Sequence, residues 1–317
     1  MTPDESTWFA QTFAALTRNV SQAVLGADAP VRLVLTAMIA EGHVLLEDAP
    51  GTGKTSLAKA IAASVHGSHQ RIQFTPDLLP SDVTGVTIWD QGTRRFEFHT
   101  GPVFTSVLLA DEINRASPKT QSALLEVMEE GHVTVDKDTH PVGRPFIVIA
   151  TQNPVEQAGT YRLPEAQLDR FLIRTSLGYP DRTATVEILA GQRDRTAALH
   201  PVIGTEDVVR MADLAQGVHV DGAVLDYVAR LLEVTRDDPQ TSLGASVRGG
   251  LALVRCARVL AAASGRGYVV PDDIKELAIP VLAHRLVLDP EADFLGATTR
   301  DVVQRALDST PPPVARA

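Results

Sequence analysis

The residues with the greatest chemical potential lie in a few short strings. Glu47-Asp48-Ala49-Pro50-Gly51-Thr52-Gly53-Lys54-Thr55 puts two glycines, a lysine and a hydroxyl into one tight turn. Gly51 and Gly53 tolerate positive φ, so successive backbone N–H groups converge on one concavity suited to phosphate. Lys54 is placed to reach the β- and γ-phosphates of a nucleoside triphosphate, and the Thr55 hydroxyl to bind Mg²⁺. Asp48 stands where the strict phosphate-loop pattern has glycine, whereas Pro50-Gly51-Thr52-Gly53-Lys54-Thr55 is intact. The candidate nucleotide-binding residues are therefore Asp48, Ala49, Pro50, Gly51, Thr52, Gly53, Lys54, Thr55 and Ser56. The alternative is an ordinary glycine-rich turn with a solvated lysine.

A phosphate loop requires a second element, an apolar strand ending in acid. Val107-Leu-Leu-Ala-Asp-Glu112 supplies it. In that pattern Asp111 holds Mg²⁺ through water, and Glu112 orients or deprotonates the attacking water. The metal-binding candidates are thus Thr55 and Asp111. A further apolar run, Phe146-Ile-Val-Ile-Ala150, leads into Thr151-Gln152-Asn153-Pro154. Polar residues at strand ends border the ligand crevice of such sheets, and Asn153 suits a hydrogen bond to the γ-phosphate or the water. It equally suits a turn cap before proline. Three arginines stand out by position: Arg115 just after the acids, Arg170 before a strand, and Arg248 near a helix start. A planar guanidinium matches the charge spread over a transferring phosphoryl group. A surface ion pair is the plainer use of any one of them.

These strings need rigid elements to bring them together. Phe9, Phe13, Leu16 and Val20 predict an amphipathic helix over 6–25, and a second follows over 30–40. Short apolar runs predict buried strands at 43–47, 72–74, 107–110, 146–150 and 173–177, with helices between several of them. That alternation implies a parallel sheet covered on both faces. Between the acids and the asparagine strand, Ser117, Pro118 and Gly131 punctuate a clean helix whose Leu124, Leu125 and Met128 face the core. Two hairpins are expected, one over 86–99 carrying Trp89, Phe96 and Phe98, the other starting at Val133. They either meet a partner or form structural edges. His99, His132 and His140 show no metal-ligand spacing. From about residue 183 only helical patterns occur, at 183–192, 205–216, 222–236, 246–263, 271–284 and 298–308, with Pro280 expected to kink or split the fifth.

The fold class expected is α/β, a nucleotide-binding parallel-sheet core followed by a smaller all-α domain. The expected bounds are 1–180 for the first, 181–309 for the second and a disordered tail over 310–317. At 317 residues the chain has room for two such cores without staples. The formal net charge of −10 argues against a nucleic-acid-coating surface. The single cysteine, Cys256, excludes an intramolecular disulfide and suits a small buried hydrophobe. No signal-peptide pattern and no apolar run near 20 residues is present, so the expected location is the cytoplasm, without membrane insertion.

The strings taken together resemble the MoxR family of AAA+ ATPases over about residues 24–308. The resemblance rests on Leu45–Thr55, on Phe74-Thr-Pro-Asp-Leu-Leu-Pro-Ser-Asp-Val-Thr-Gly85, on Leu108–Glu126, on Ala150–Pro154, on Leu163-Pro-Glu-Ala-Gln-Leu-Asp-Arg-Phe171 and on Gly244-Ala-Ser-Val-Arg248. It implies that Asn153 is the sensor-1 residue, that Arg170 is an arginine finger acting on a neighbour's ATP, and that Arg248 is the sensor-2 arginine of the lid. Arg115 matches an interface arginine. Asp48 fits, since the family often carries Glu-Asp before this loop; Val247 departs from the family's usual proline. The resemblance further implies ATP and Mg²⁺ as ligands, a ring, usually hexameric, and von Willebrand factor A domain partners. It also implies a chaperone-like role on an unidentified protein client, with an insert near the first hairpin facing the ring axis.

Hydrolysis-driven remodelling is the reading favoured. An ATP-gated binding scaffold with negligible turnover is disfavoured by Glu112. A DNA-acting motor is disfavoured by the acidic charge. A magnesium-chelatase-type subunit would need a dedicated partner.

Overall fold

The structure is a computed structural model that describes residues 1–49, 51–153, 160–161, 163–190 and 195–313. Two compact units emerge from the contacts. One comprises Ala15–Phe171 and Thr175–Val209; the other gathers Met1–Ala14, Leu172–Arg174 and the chain from Arg210 onward. The change of pattern near residue 180 thus precedes the division between Val209 and Arg210.

The chain opens with α1 (Pro3–Ser21) and α2 (Asp28–Ile39). Phe9, Phe13, Leu16 and Val20 are all buried, as the periodicity of α1 requires. Then follow β1 (Val44–Glu47), α3 (Lys54–Ser64), β2 (His69–Gln73), α4 (Pro80–Thr84) and the hairpin of β3 (Gly85–Asp90) and β4 (Arg95–Thr100). Next come β5 (Val107–Asp111), α5 (Pro118–Glu130) and a second hairpin, β6 (His132–Val135) with β7 (Asp138–Pro141). The run closes with β8 (Ile147–Gln152), α6 (Glu165–Leu168), β9 (Ile173–Thr175) and α7 (Arg182–Leu189).

Five strands form one sheet in the order β2-β5-β8-β1-β9. The pairs β2–β5, β5–β8 and β8–β1 are parallel, with Leu45 opposite Ala150 and Leu109 opposite Ile149. β1, β5 and β8 are buried almost throughout rather than alternating, the mark of a sheet covered on both faces. One core cluster joins Leu45, Leu108 and Val148 of these strands to Leu124, Leu125 and Met128 of α5. Ser117 caps α5 and Gly131 ends it at φ 69°, as its sequence predicts. The three central strands carry at their carboxyl ends the phosphate loop, the acid pair and Asn153.

The helical unit contains α9 (Gly222–Asp237), α10 (Val247–Ala263), α11 (Pro271–Leu282) and α13 (Thr299–Ser309), with α8 (Thr205–Gln216) leading into it and a short α12 (Pro290–Phe294). One expectation needs correction. The segment is not purely helical, because β10 (Thr241–Leu243) pairs antiparallel with β11 (Val287–Leu288). Two and three residues are too few for a periodic signal. Pro280 does not split its helix: α11 runs through it to Leu282. Ile274, Leu277, Ala278, Val281 and Leu282 are all buried around it, and that packing outweighs the one backbone donor that proline lacks. Arg266 fixes the start of α11 through a two-pronged bond to Asp273, at 2.6 and 2.8 Å. No helix among the described residues is long and apolar enough to cross a membrane.

Candidate active site

At the carboxyl ends of β1, β5 and β8 lies a crevice of about 450 Å³. Asp48, Gly51, Thr52, Gly53, Lys54, Thr55 and Ser56 line one side, and Asp111, Glu112 and Asn153 the other. Adjacent parallel strands thus bring together residues as far apart in sequence as Asp48 and Asn153. Pro50 lies outside the described residues. Gly51 and Gly53 adopt φ 84° and 95°, which places Gly53 as the left-handed cap of α3 and turns the first N–H groups of that helix toward the crevice.

Asp48, Thr52 and Lys54 of the loop each have partners. Lys54 Nζ donates to the Ala49 carbonyl at 2.9 Å and to the Asp48 carbonyl at 3.3 Å, and Thr52 Oγ1 donates to Ala49 at 3.3 Å. The buried Asp48 carboxylate accepts the Leu177 N–H (2.8 Å), the Gly178 N–H (2.9 Å) and the Ser176 hydroxyl (2.8 Å). It therefore ties the loop to the chain leaving β9.

The acid pair is equally constrained. Asp111 accepts the Thr151 hydroxyl on Oδ1 at 2.6 Å and Arg71 Nη2 on Oδ2 at 2.7 Å. Glu112 pairs with Arg115 at 2.9 Å and takes left-handed φ/ψ of 56° and 49°. Arg170 Nε lies 2.9 Å from the Glu129 carboxylate. Arg248 stands in the first turn of α10, behind the Ser246 cap.

The donor chemistry fits Mg²⁺. Thr55 and Asp111 offer hard oxygens to one crevice, and this ion takes one or two protein oxygens and completes its shell with water and phosphate. Among the described residues no group of three or more His, Cys, Asp or Glu gathers as a cage.

Sequence reasoning missed Arg71 and Gln73, which also line the crevice. Their signal was available in the alternation of β2, where Ile72 is buried between two exposed neighbours. It also missed a second cavity of about 280 Å³ beside the loop, lined by Val24, Ala27, Gly53, Leu177, Pro180 and Ile188 among others. It shares Gly51, Thr52, Gly53 and Ser56 with the phosphate loop, and no local pattern links that loop to the segments at 23–27, 177–180, 188 and 195–196 that complete it.

Two family descriptions match the chain. The ATPase family associated with various cellular activities (AAA) matches residues 43–173, and the AAA lid domain matches residues 233–306. Among relatives, protein YeaC of Bacillus subtilis is 47% identical over 94% of both chains. Chaperone MoxR1 of Mycobacterium tuberculosis is 41% identical over 92% of this chain and 80% of its own. Protein MoxR of Methylorubrum extorquens is 32% identical over 95% of each. A crystal structure of a Cytophaga hutchinsonii protein superposes with a TM-score of 0.91 at 36% identity, covering 98% of both chains.

Proposed function

Given that the chain belongs to the MoxR family of AAA+ ATPases, we propose that it hydrolyses ATP to ADP and phosphate to drive chaperone-like remodelling or assembly of protein complexes. The observation that carries this reading is the single crevice shared by Lys54, Thr55, Asp111, Glu112 and Asn153. It holds a cation for the phosphates, oxygens for a metal, and a carboxylate for water.

In this reading the loop N–H groups from Gly51 to Ser56 bind the phosphates, and Lys54 exchanges its carbonyl partners for β- and γ-phosphate oxygens. Thr55 and Asp111 would hold Mg²⁺, which supplies charge neutralisation between the phosphates when bound. Glu112 leaves Arg115 and accepts a proton from the water that attacks the γ-phosphorus. Asn153 orients that water or the γ-phosphate. Arg170, contributed by a neighbouring copy, stabilises charge on the departing phosphoryl group, which assigns the chain to a ring, a hexamer by family resemblance. Arg248 reports the nucleotide to the lid. A von Willebrand factor A domain protein is the partner class, and a client protein is the load.

The β3–β4 hairpin supports a protein-facing role. Val86, Ile88, Trp89 and Phe96 are exposed on it, Phe96 by 71%, an apolar patch of the kind that marks interaction sites.

The experiment is a trap. Glu112→Gln should bind ATP and lose turnover by about 10²- to 10⁴-fold, the range for a general base. Lys54→Ala should fail to bind ATP. Proteins recovered from native extract on the first variant but not the second identify the client. Unchanged turnover in Glu112→Gln, or equal recovery on both, overturns the reading.

A further inference from the structure

One buried side chain connects the two members of the acid pair. Thr151 is 1% exposed. Its hydroxyl donates to Asp111 Oδ1 at 2.6 Å and accepts the Glu112 N–H at 2.9 Å. A hydroxyl has one proton and two lone pairs. With that proton committed to the ionised carboxylate, a lone pair remains for the amide, so the two bonds support each other. The contact falls where the sheet stops serving this segment: β5 pairs with β8 as far as Ala110 opposite Ala150. Two residues later Glu112 turns to φ 56°, a conformation that a side chain with a Cβ adopts at a cost. The Thr151 hydroxyl takes the place of the missing ladder bond and anchors that turn, and the turn sets the direction in which the Glu112 carboxylate leaves the backbone. Arg71 holds the other oxygen of Asp111 at 2.7 Å, so the Asp111 carboxylate is gripped at both oxygens.

We propose that Thr151 is a positioning residue for ATP hydrolysis: it aims Glu112 at the attacking water, without itself touching the nucleotide. This rests on the roles given above to Asp111 and Glu112. Valine has the shape of threonine but neither bond, whereas serine keeps both.

The test compares Thr151→Val and Thr151→Ser, each alone and with Glu112→Gln, in the full chain with Mg²⁺. Steady-state hydrolysis gives kcat and KM, and a fluorescent ATP analogue gives the Kd. Thr151→Val should lower kcat by about 10- to 100-fold, the scale of a misaimed catalytic group, with the Kd changed by less than about threefold. Thr151→Ser should recover most of the rate. Thr151→Val with Glu112→Gln should be no slower than Glu112→Gln alone, since both remove the same function. If Thr151→Val does not fold, Thr151→Ala takes its place under the same expectations. The proposal is overturned if the valine variant keeps wild-type kcat while Glu112→Gln has lost it. It is also overturned if the serine variant fares as badly as valine, or if the two losses multiply in the double variant. A wild-type chain without turnover, or a fully active Glu112→Gln, instead removes the underlying reading and the positioning role with it.

Discussion

The phosphate-loop crevice and the β3–β4 hairpin belong to the same unit and are built on opposite principles. In the crevice the polar groups are pinned by several partners each: Asp48 takes three donors, Asp111 two, and Thr151 bridges both acids. The hairpin holds itself by its own ladder, from Gly85 opposite Thr100 to Asp90 opposite Arg95. It leaves Trp89 edge-to-face on Phe96 with their centroids 5.0 Å apart. Toward its base Phe98 stacks on His140 of β7 and packs against Phe104. The contrast teaches where each kind of residue is tolerated. On the proposed roles, charges that act on a phosphate are held at fixed positions because misplacement is costly in rate. On the same reading, apolar side chains that meet another protein stay on a self-supported ribbon, because burying them would remove them from use.

The contrast can be attacked where the crevice is held most tightly. Asp48→Ala leaves the Leu177 amide without its acceptor and the Gly178 amide with only the Ser176 hydroxyl at 3.1 Å, and should destabilise the chain by about 3 kcal/mol, from the loss of charge-assisted hydrogen bonds and a buried donor left unmet. Urea titration measures this, and a loss below about 1 kcal/mol would show that the loop is not anchored there.

The base of the hairpin comes next. At Gly85, φ is 99°, and a Cβ would stand 2.3 Å from the His99 carbonyl oxygen. Gly85→Ala should therefore cost about 1–3 kcal/mol from backbone strain and shift the thermal midpoint downward. A variant as stable as wild type would mean that the ribbon's base is free to move.

The exposed tip should behave differently. Trp89→Ala with Phe96→Ala should change stability by less than about 1 kcal/mol, because little is buried there, while recovery of client on the Glu112→Gln trap falls. A large loss of stability would place the pair with the core and dissolve the distinction.

The smallest effect is expected at Cys256. Complete burial pushes its thiol up to about 12. Being raised, it favours the protonated folded state, so its contribution to stability is intact below the ordinary thiol range near pH 9 and is lost as pH rises toward 12. A thiol reagent at pH 8 should leave the folded chain unlabelled and label it fully in denaturant; rapid labelling of the native chain would contradict this burial.

Much of the α/β order was legible before the structure. The strand runs at 107–110 and 146–150 are continuous in Val, Ile, Leu, Ala and Phe, and Ser117, Pro118 and Gly131 bracket α5, all of them local signals. The short pieces were not. β10 and β11 span three and two residues, and α12 five, below the length at which a period can be counted. That α11 continues through Pro280 was not legible either, because the local cost of proline is readable in sequence while the burial around it is not.

By itself the sequence determined the chemistry available: a glycine-rich turn with Lys54 and Thr55, an apolar strand ending in Asp111 and Glu112, an asparagine after another, and a chain of two cores. Those are properties of neighbouring residues, set by backbone freedom and by apolar period. Only the tertiary structure decided how the groups are held. That Arg71 and Thr151 grip Asp111, and that Asp48 ties the loop to Ser176–Gly178, depends on which strands pair and in which register. Hydrogen bonds across 40 and 128 positions leave no local trace, because each partner alone is only an ordinary polar residue.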